Sequence, residues 1–157
     1  MIAQQLTEFL EDHHVRYETL THPTTYTAQG TAQSAHIPVK EFAKTVMIKM
    51  DGKMVMVVLP ACYRVDLDLL KKTTGANKIE LATELEFKKL FPECEIGAMP
   101  PFGNLYEMEV FCSPQLAKDN EIAFNAGSHT ESIRISYKDF TELVSPTVTK
   151  LSNGDYN

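Results

Sequence analysis

Near the start of the chain, Ile2, Leu6, Phe9 and Leu10 recur at helical spacing with Gln4, Gln5, Glu8 and Glu11 between them. This predicts an amphipathic helix ending near His13. Residues 16–21 alternate as a short strand does, and His22-Pro23 ends it. Thr27 is placed to cap a second helix over residues 28–35, in which Gly30 is a weak point; Pro38 marks the exit. The firmest local signal is Asp51-Gly52 between the β-rich runs 43–50 and 53–59, which predicts a hairpin. Residues 66–72 read as a short helix, and Thr83 with Glu86 makes a capping box for a helix over 84–91 that Pro92 stops. Strands are expected at 105–112, 122–126 and 132–135, then a helix over 138–143 capped by Ser136. From Pro146 the pattern turns polar, so the expectation is one domain over residues 1–145 and a mobile tail over 146–157. Strands and helices interleave without an internal repeat, which makes the expected fold mixed α+β with a largely antiparallel sheet.

Composition narrows the function classes. The 157 residues suit a single domain, and 43% hydrophobic with 23% charged residues allow a real core, excluding a disordered chain. With 15 basic and 21 acidic residues the net charge is −6, which argues against coating nucleic acid by bulk charge and leaves room for a local basic patch. Cys62, Cys94 and Cys112 form no C-x-x-C pair and no disulfide framework, so a reducing, cytoplasmic setting is expected. The longest apolar run, 54–59, is far too short for a membrane span. Neither a P-loop, a dinucleotide fingerprint, an H-E-x-x-H pair nor a G-x-S-x-G elbow is present.

Three local features carry candidate chemistry. In a strand over 43–50, Lys44 shares its face with Val46, Ile48 and Met50, while Thr45 and Met47 point the other way. A lysine opening an apolar row either snorkels to water or stands at a pocket mouth as a donor to oxygen. Gly97, Ala98, Met99, Pro100, Pro101, Phe102 and Gly103 form a stiff segment: a tight connection, or a wall whose Gly97 or Ala98 amide faces a developing oxyanion. Residues 124–130, with Asn125, Ala126, Gly127, Ser128 and His129, lie at the end of an apolar strand; Gly127-Ser128 signals a turn, and His129 beside it can line a pocket. His22 and Tyr26 could rim a cleft, with exposure as the default. The histidines are not spaced for zinc, and Cys62, with no neighbouring base, reads as structural. Lys71-Lys72, Lys78 and Lys88-Lys89 read as solvated helix faces, and they are also the basic groups available to meet phosphate.

Taken in order, Ala43-Lys44-Thr45, the Gly97 to Gly103 loop and the Asn125 to His129 segment resemble the YbaK/EbsC family, which is similar to the editing domain inserted in bacterial prolyl-tRNA synthetase. The resemblance implies a barrel-like mixed sheet flanked by short helices. It also implies hydrolysis of the ester joining a wrong amino acid to the tRNA 3′ adenosine. Lys44 matches the family's essential lysine, and Gly97 and Ala98 open its G-x-x-x-P loop as the catalytic backbone. Thr45, Met99, Pro100, Pro101, Phe102, Gly127, Ser128, His129, His22 and Tyr26 are then expected to bind substrate. The expected substrate is a small amino acid such as alanine or cysteine on a proline tRNA or a similar tRNA. Thr45 replaces an asparagine common in alanine-type members, whereas cysteine-type members usually lack the histidine, so the pattern leaves the amino acid open. The implied partners are the aminoacylated tRNA 3′ end and an aminoacyl-tRNA synthetase, with no DNA, membrane, metal or cofactor. The alternative is a non-catalytic module that binds a nucleotide or the tRNA acceptor end through the same cleft.

Overall fold

Asp51 and Gly52 both take positive φ, 52° and 83°, as a tight hairpin turn of right-twisted strands requires. From that turn β2 (Phe42–Met50) and β3 (Lys53–Pro60) run in register, with Met50 opposite Lys53 and Ala43 opposite Pro60. The computed structural model describes residues 2–156 and arranges the other elements around this hairpin. They are β1 (Glu18–Thr21), β4 (Ile79–Leu81), β5 (Val110–Cys112), β6 (Glu121–Asn125), β7 (Glu131–Ser136) and β8 (Thr147–Val148). The helices are α1 (Gln4–Asp12), α2 (Ala28–Ser34), α3 (Leu67–Thr74), α4 (Glu84–Phe87) and α5 (Tyr137–Val144). The eight strands form one sheet in the order β1-β7-β6-β2-β3-β5-β8, with β4 added to β2.

The sheet is mixed, as expected. Its antiparallel pairings β1·β7, β6·β7 and β2·β3 carry the longer ladders, while the antiparallel β2·β4 and the parallel β2·β6, β3·β5 and β5·β8 are short. The strand path is open: β1 and β8 stand at its two ends and do not pair, so the ladders do not close the expected barrel. One face of the hairpin, with Ala43, Met47, Met56 and Val58, packs on α1, α5 and the Phe102, Phe124 and Phe140 rings. The opposite face carries two apolar patches. Under α2, Ala32 and Ala28 meet Phe42, Ala61 and Ala123; under α3, Leu70 meets Ile48, Val57 and Leu59.

The predicted caps form as read. Thr27 accepts from the Gly30 N–H, and a Cβ on Gly30 would sit 2.8 Å from the Thr27 hydroxyl, so this glycine makes room for its own helix cap. Thr83 and Glu86 complete the capping box of α4. Three expectations need correction. Of residues 105–112 only Val110–Cys112 is strand; Gly103–Tyr106 is a 3₁₀ turn, because the chain folds back so tightly that a Cβ on Gly103 would lie 2.6 Å from Val110. The short strand β4 was hidden from pattern reading because a side chain delivers it. The Asp51 carboxylate accepts from the Asn77 and Lys78 N–H groups at 3.0 and 2.8 Å and leads the chain onto β2.

The third correction concerns the segment after residue 145. Thr147–Val148 pairs with β5, the Asp66 N–H donates to the Leu151 carbonyl at 2.8 Å, and Leu151 is fully buried against Ile48, Leu59 and Leu70. Polar residues flank that one anchor, which masked it in the pattern. Leu151→Ala is expected to lower unfolding free energy by about 2–5 kcal/mol, the range for emptying a buried leucine site, read as a lower urea midpoint. An unchanged midpoint would return the segment to the status of a loose tail.

Candidate active site

Two loops lock together at one end of the sheet. The Glu95 N–H donates to the Gly127 carbonyl at 2.8 Å and the Gly127 N–H to the Ala98 carbonyl at 2.9 Å. Both glycines hold positive φ, 87° at Gly97 and 104° at Gly127. Gly127 is pressed against Ala3, where a Cβ would come within 3.0 Å. Ser128 is buried and bonds to Glu131. His129 is 7% exposed, and its Nε2 lies 2.8 Å from the Ile96 carbonyl. A carbonyl only accepts, so Nε2 carries the proton and, in the neutral ring, Nδ1 is left as an acceptor.

That hydrogen bond acts on the peptide that also contains the Gly97 N–H. A trans peptide points its C=O and N–H in opposite directions, so holding the Ile96 carbonyl fixes where the Gly97 N–H aims. Among the described residues the N–H meets only the Met99 sulfur, at 3.3 Å, a weak acceptor. The Ala98 N–H already donates to the Glu95 carbonyl at 3.0 Å. Of the two amides read as oxyanion donors, Gly97 is therefore the one still available. Gly97 is exposed, Ala98, Met99, Pro100 and Pro101 are buried, and Phe102 sits at 0% exposure among the Phe9, Phe124 and Phe140 rings. Phe102 thus supports the loop from beneath, contrary to the expectation that it touches substrate.

Lys44 lies on the face foreseen for it, in the gap between the α2 patch and the α3 patch. On its second edge β2 pairs with β6 only at Phe42 and Ala43 and with β4 only from Ile48 onward, so Lys44 stands where the sheet parts. A cleft of about 250 Å³ opens there, lined by Lys44, Thr27, Ala28, Gln29 and the run Ala61, Cys62, Tyr63 and Arg64. Burial pushes the Lys44 pKa down; Cys62 works in the opposite direction, and the Arg64 charge lowers it further. Cys62, read from sequence as structural, is half-buried and lines this cleft.

The Lys44 cleft and the Gly97–His129 pair are separate clusters joined by Tyr26 and Thr27. The Tyr26 ring stands 4.9 Å from the His129 ring and is 80% exposed, and the next residue lines the lysine cleft. His22 departs from its expected exposure. It is buried, its Nδ1 donates to the Pro23 carbonyl at 3.1 Å, and its Nε2 accepts from the Ser132 hydroxyl at 2.9 Å. Ser132 pairs across the ladder with Asn125, which is 7% exposed and whose Oδ1 has no partner among the described residues. By strand alternation Asn125 shares the Lys44 face. Thr45, on the opposite face, has a buried hydroxyl that also lacks a partner among the described residues.

A profile of the aminoacyl-tRNA editing domain matches residues 22–143, a span that includes Lys44, the Gly97 loop and His129. The chain belongs to the aminoacyl-tRNA editing domain family. This editing domain is 26% identical over 148 residues to the multifunctional Ser/Thr-tRNA deacylase ProXp-y of Escherichia coli K12, covering 91% of this chain and 88% of the relative. A proline–tRNA ligase of Staphylococcus aureus strain Newman is 35% identical over 83 residues, which is 53% of this chain and 14% of the ligase. The fold also matches a solved chain described as a candidate trans-editing enzyme for prolyl tRNA synthetase, with a TM-score of 0.82, 21% identity and 96% of each chain covered.

Sequence reading missed Arg64 in the editing domain, and it named Asn125 in the third motif without giving it a role. Arg64 is twenty positions from Lys44 and reaches the same cleft only because β3 returns beside β2. Asn125 carried one usable signal, a polar residue at an inward-facing position of an apolar strand. The lysine is also costly to the fold. Its folded pKa lies below the ordinary 10.5, so between the two values the unfolded chain holds more protons and stability rises with pH across that window. Lys44→Met is expected to raise the urea midpoint at pH 7, with the gain shrinking as pH approaches 10.5. A lower midpoint at pH 7 would mean that the ammonium is stabilising and the burial argument is wrong.

Proposed function

We propose that this editing domain hydrolyses the ester of mischarged aminoacyl-tRNA, acting in trans on a tRNA that carries a small amino acid. The observation that carries the reading is the Gly97 N–H, held in place through the Ile96 carbonyl and facing a weak sulfur acceptor. Family membership supports the substrate class, and the near-complete coverage of the E. coli Ser/Thr-tRNA deacylase supports action as a separate deacylase.

Water attacks the ester carbonyl, and the carbonyl oxygen takes up the pair of electrons as the tetrahedral intermediate forms. The Gly97 N–H exchanges the Met99 sulfur for this oxyanion, a far better acceptor. One preorganised donor of this kind is worth about 2.7–4 kcal/mol. His129 acts through the Ile96–Gly97 peptide, and its hydrogen bond to the carbonyl end also polarises the N–H end. Lys44 anchors the nucleotide beside the ester, and collapse of the intermediate expels the ribose oxygen, which takes up the proton given up by the attacking water. No side-chain nucleophile is needed, because an aminoacyl ester is already activated and positioning supplies much of the rate.

The test is deacylation of alanyl-, seryl-, threonyl-, cysteinyl- and prolyl-tRNA by the wild type and three variants. Lys44→Ala is expected to abolish turnover on every substrate while the protein stays folded. His129→Ala is expected to lower kcat by about tenfold or more on all substrates alike, and His129→Gln, which keeps a donor, to recover part of it. Hydrolysis of none of these tRNAs by the wild type would end the deacylase reading. If His129→Ala changed only the ranking of the amino acids, the histidine would belong to the acyl pocket instead of the donor.

A further inference from the structure

The cleft at Lys44 is cationic in a chain whose net charge is −6. Lys44 and Arg64 both line it and repel each other, and no carboxylate is among the lining residues. Neither cation has a bonded acid partner among the described residues. The rest of the wall supplies the Thr27 hydroxyl, the Gln29 carboxamide and the Tyr63 ring. Elsewhere two other cations do have acid partners: Lys49, on the opposite face of β2, pairs with Glu80 and Glu86, and Arg134 pairs with Glu18. Two unneutralised cations converging on one recess, with neutral hydrogen-bonding groups around them, are complementary to an anion. Arg64 is exposed and its planar fork matches two oxygens of a phosphate, while Lys44 supplies a half-buried point charge.

We propose that Lys44 and Arg64 together form a phosphate site that holds a backbone phosphodiester of the substrate's single-stranded 3′ end. The proposal rests on the reading of the chain as an aminoacyl-tRNA deacylase and adds a second arm to the nucleotide anchor. The cleft is joined to the Gly97 donor through Tyr26 and Thr27, so a phosphate in it sets how far the ester can reach toward the amide. Phosphate binding also gives an acidic protein a local attraction for tRNA that its net charge denies it.

The test compares wild type, Arg64→Gln and Arg64→Lys on a charged tRNA and on the same amino acid esterified to adenosine, which has no phosphate. Arg64→Gln is expected to raise KM on charged tRNA by about tenfold with kcat little changed. It should also reduce the slope of log binding against log salt by about 0.7, the value for one single-strand phosphate contact. On the adenosine ester it should match the wild type, and Arg64→Lys should recover part of the tRNA affinity. An unchanged KM and salt slope on tRNA, or an equal loss on the adenosine ester, overturns the phosphate site. Binding of an uncharged CCA trinucleotide, measured without turnover, judges the site even if the wild type deacylates nothing: loss of that binding in Arg64→Gln supports it, and equal binding refutes it. Inorganic phosphate competing as tightly as the trinucleotide would assign the cleft to a free phosphate and overturn the RNA assignment.

Discussion

The hydrogen bond from His129 Nε2 to the Ile96 carbonyl is the constraint on which the candidate site depends. It fixes one end of a planar peptide, and the other end is the only loop amide with a weak acceptor of the two read from sequence. The peptide can sit this way because Gly97 tolerates a φ of 87°, which an L side chain resists by about 1–2 kcal/mol. Behind it, the Glu95–Gly127 and Gly127–Ala98 bonds tie the two loops into one unit, and the buried Phe102 ring props that unit from the core. Rigidity at the donor is thus supplied by backbone bonds and packing, which cost no reorganisation when charge develops.

The lysine side of the site obeys a different logic. The sheet parts along β2 between β6 and β4, and α2 and α3 cover the face on either side of the gap. An apolar side chain at position 44 would bridge the two patches, and the ammonium that stands there is partly desolvated and close to a second cation. Interactions that disfavour the empty protein are relieved when an anion enters, so stability is given up for recognition. The polar row of Asn125, Ser132 and buried His22 continues this character across β6 and β7, away from the apolar pattern that a covered sheet face otherwise shows.

Much of this was legible from sequence because it is local. The Asp51-Gly52 hairpin, the Thr27, Thr83 and Ser136 caps and the face taken by Lys44 follow from spacing within a few residues. What escaped is nonlocal. β4 reaches the sheet through the Asp51 carboxylate, β8 through one buried leucine, and the strand expected at Leu105 gives way to a turn forced by the close approach of Gly103 to Val110. At the site, the motif reading found both loops and could not see that the Ala98 amide is spent on Glu95, that Phe102 belongs to the core, or that Arg64 shares the cleft with Lys44. Each of these depends on which strand lies beside which.

The most direct measurement is a crystal structure of the protein with a non-hydrolysable substrate analogue, in which an amide replaces the ester between a small amino acid and a terminal CpA dinucleotide. The account predicts the analogue's carbonyl oxygen within hydrogen-bond distance of the Gly97 nitrogen, the Met99 sulfur displaced, and Lys44 against the nucleotide. An analogue bound with its carbonyl away from Gly97, while the His129–Ile96 bond stays intact, would contradict it.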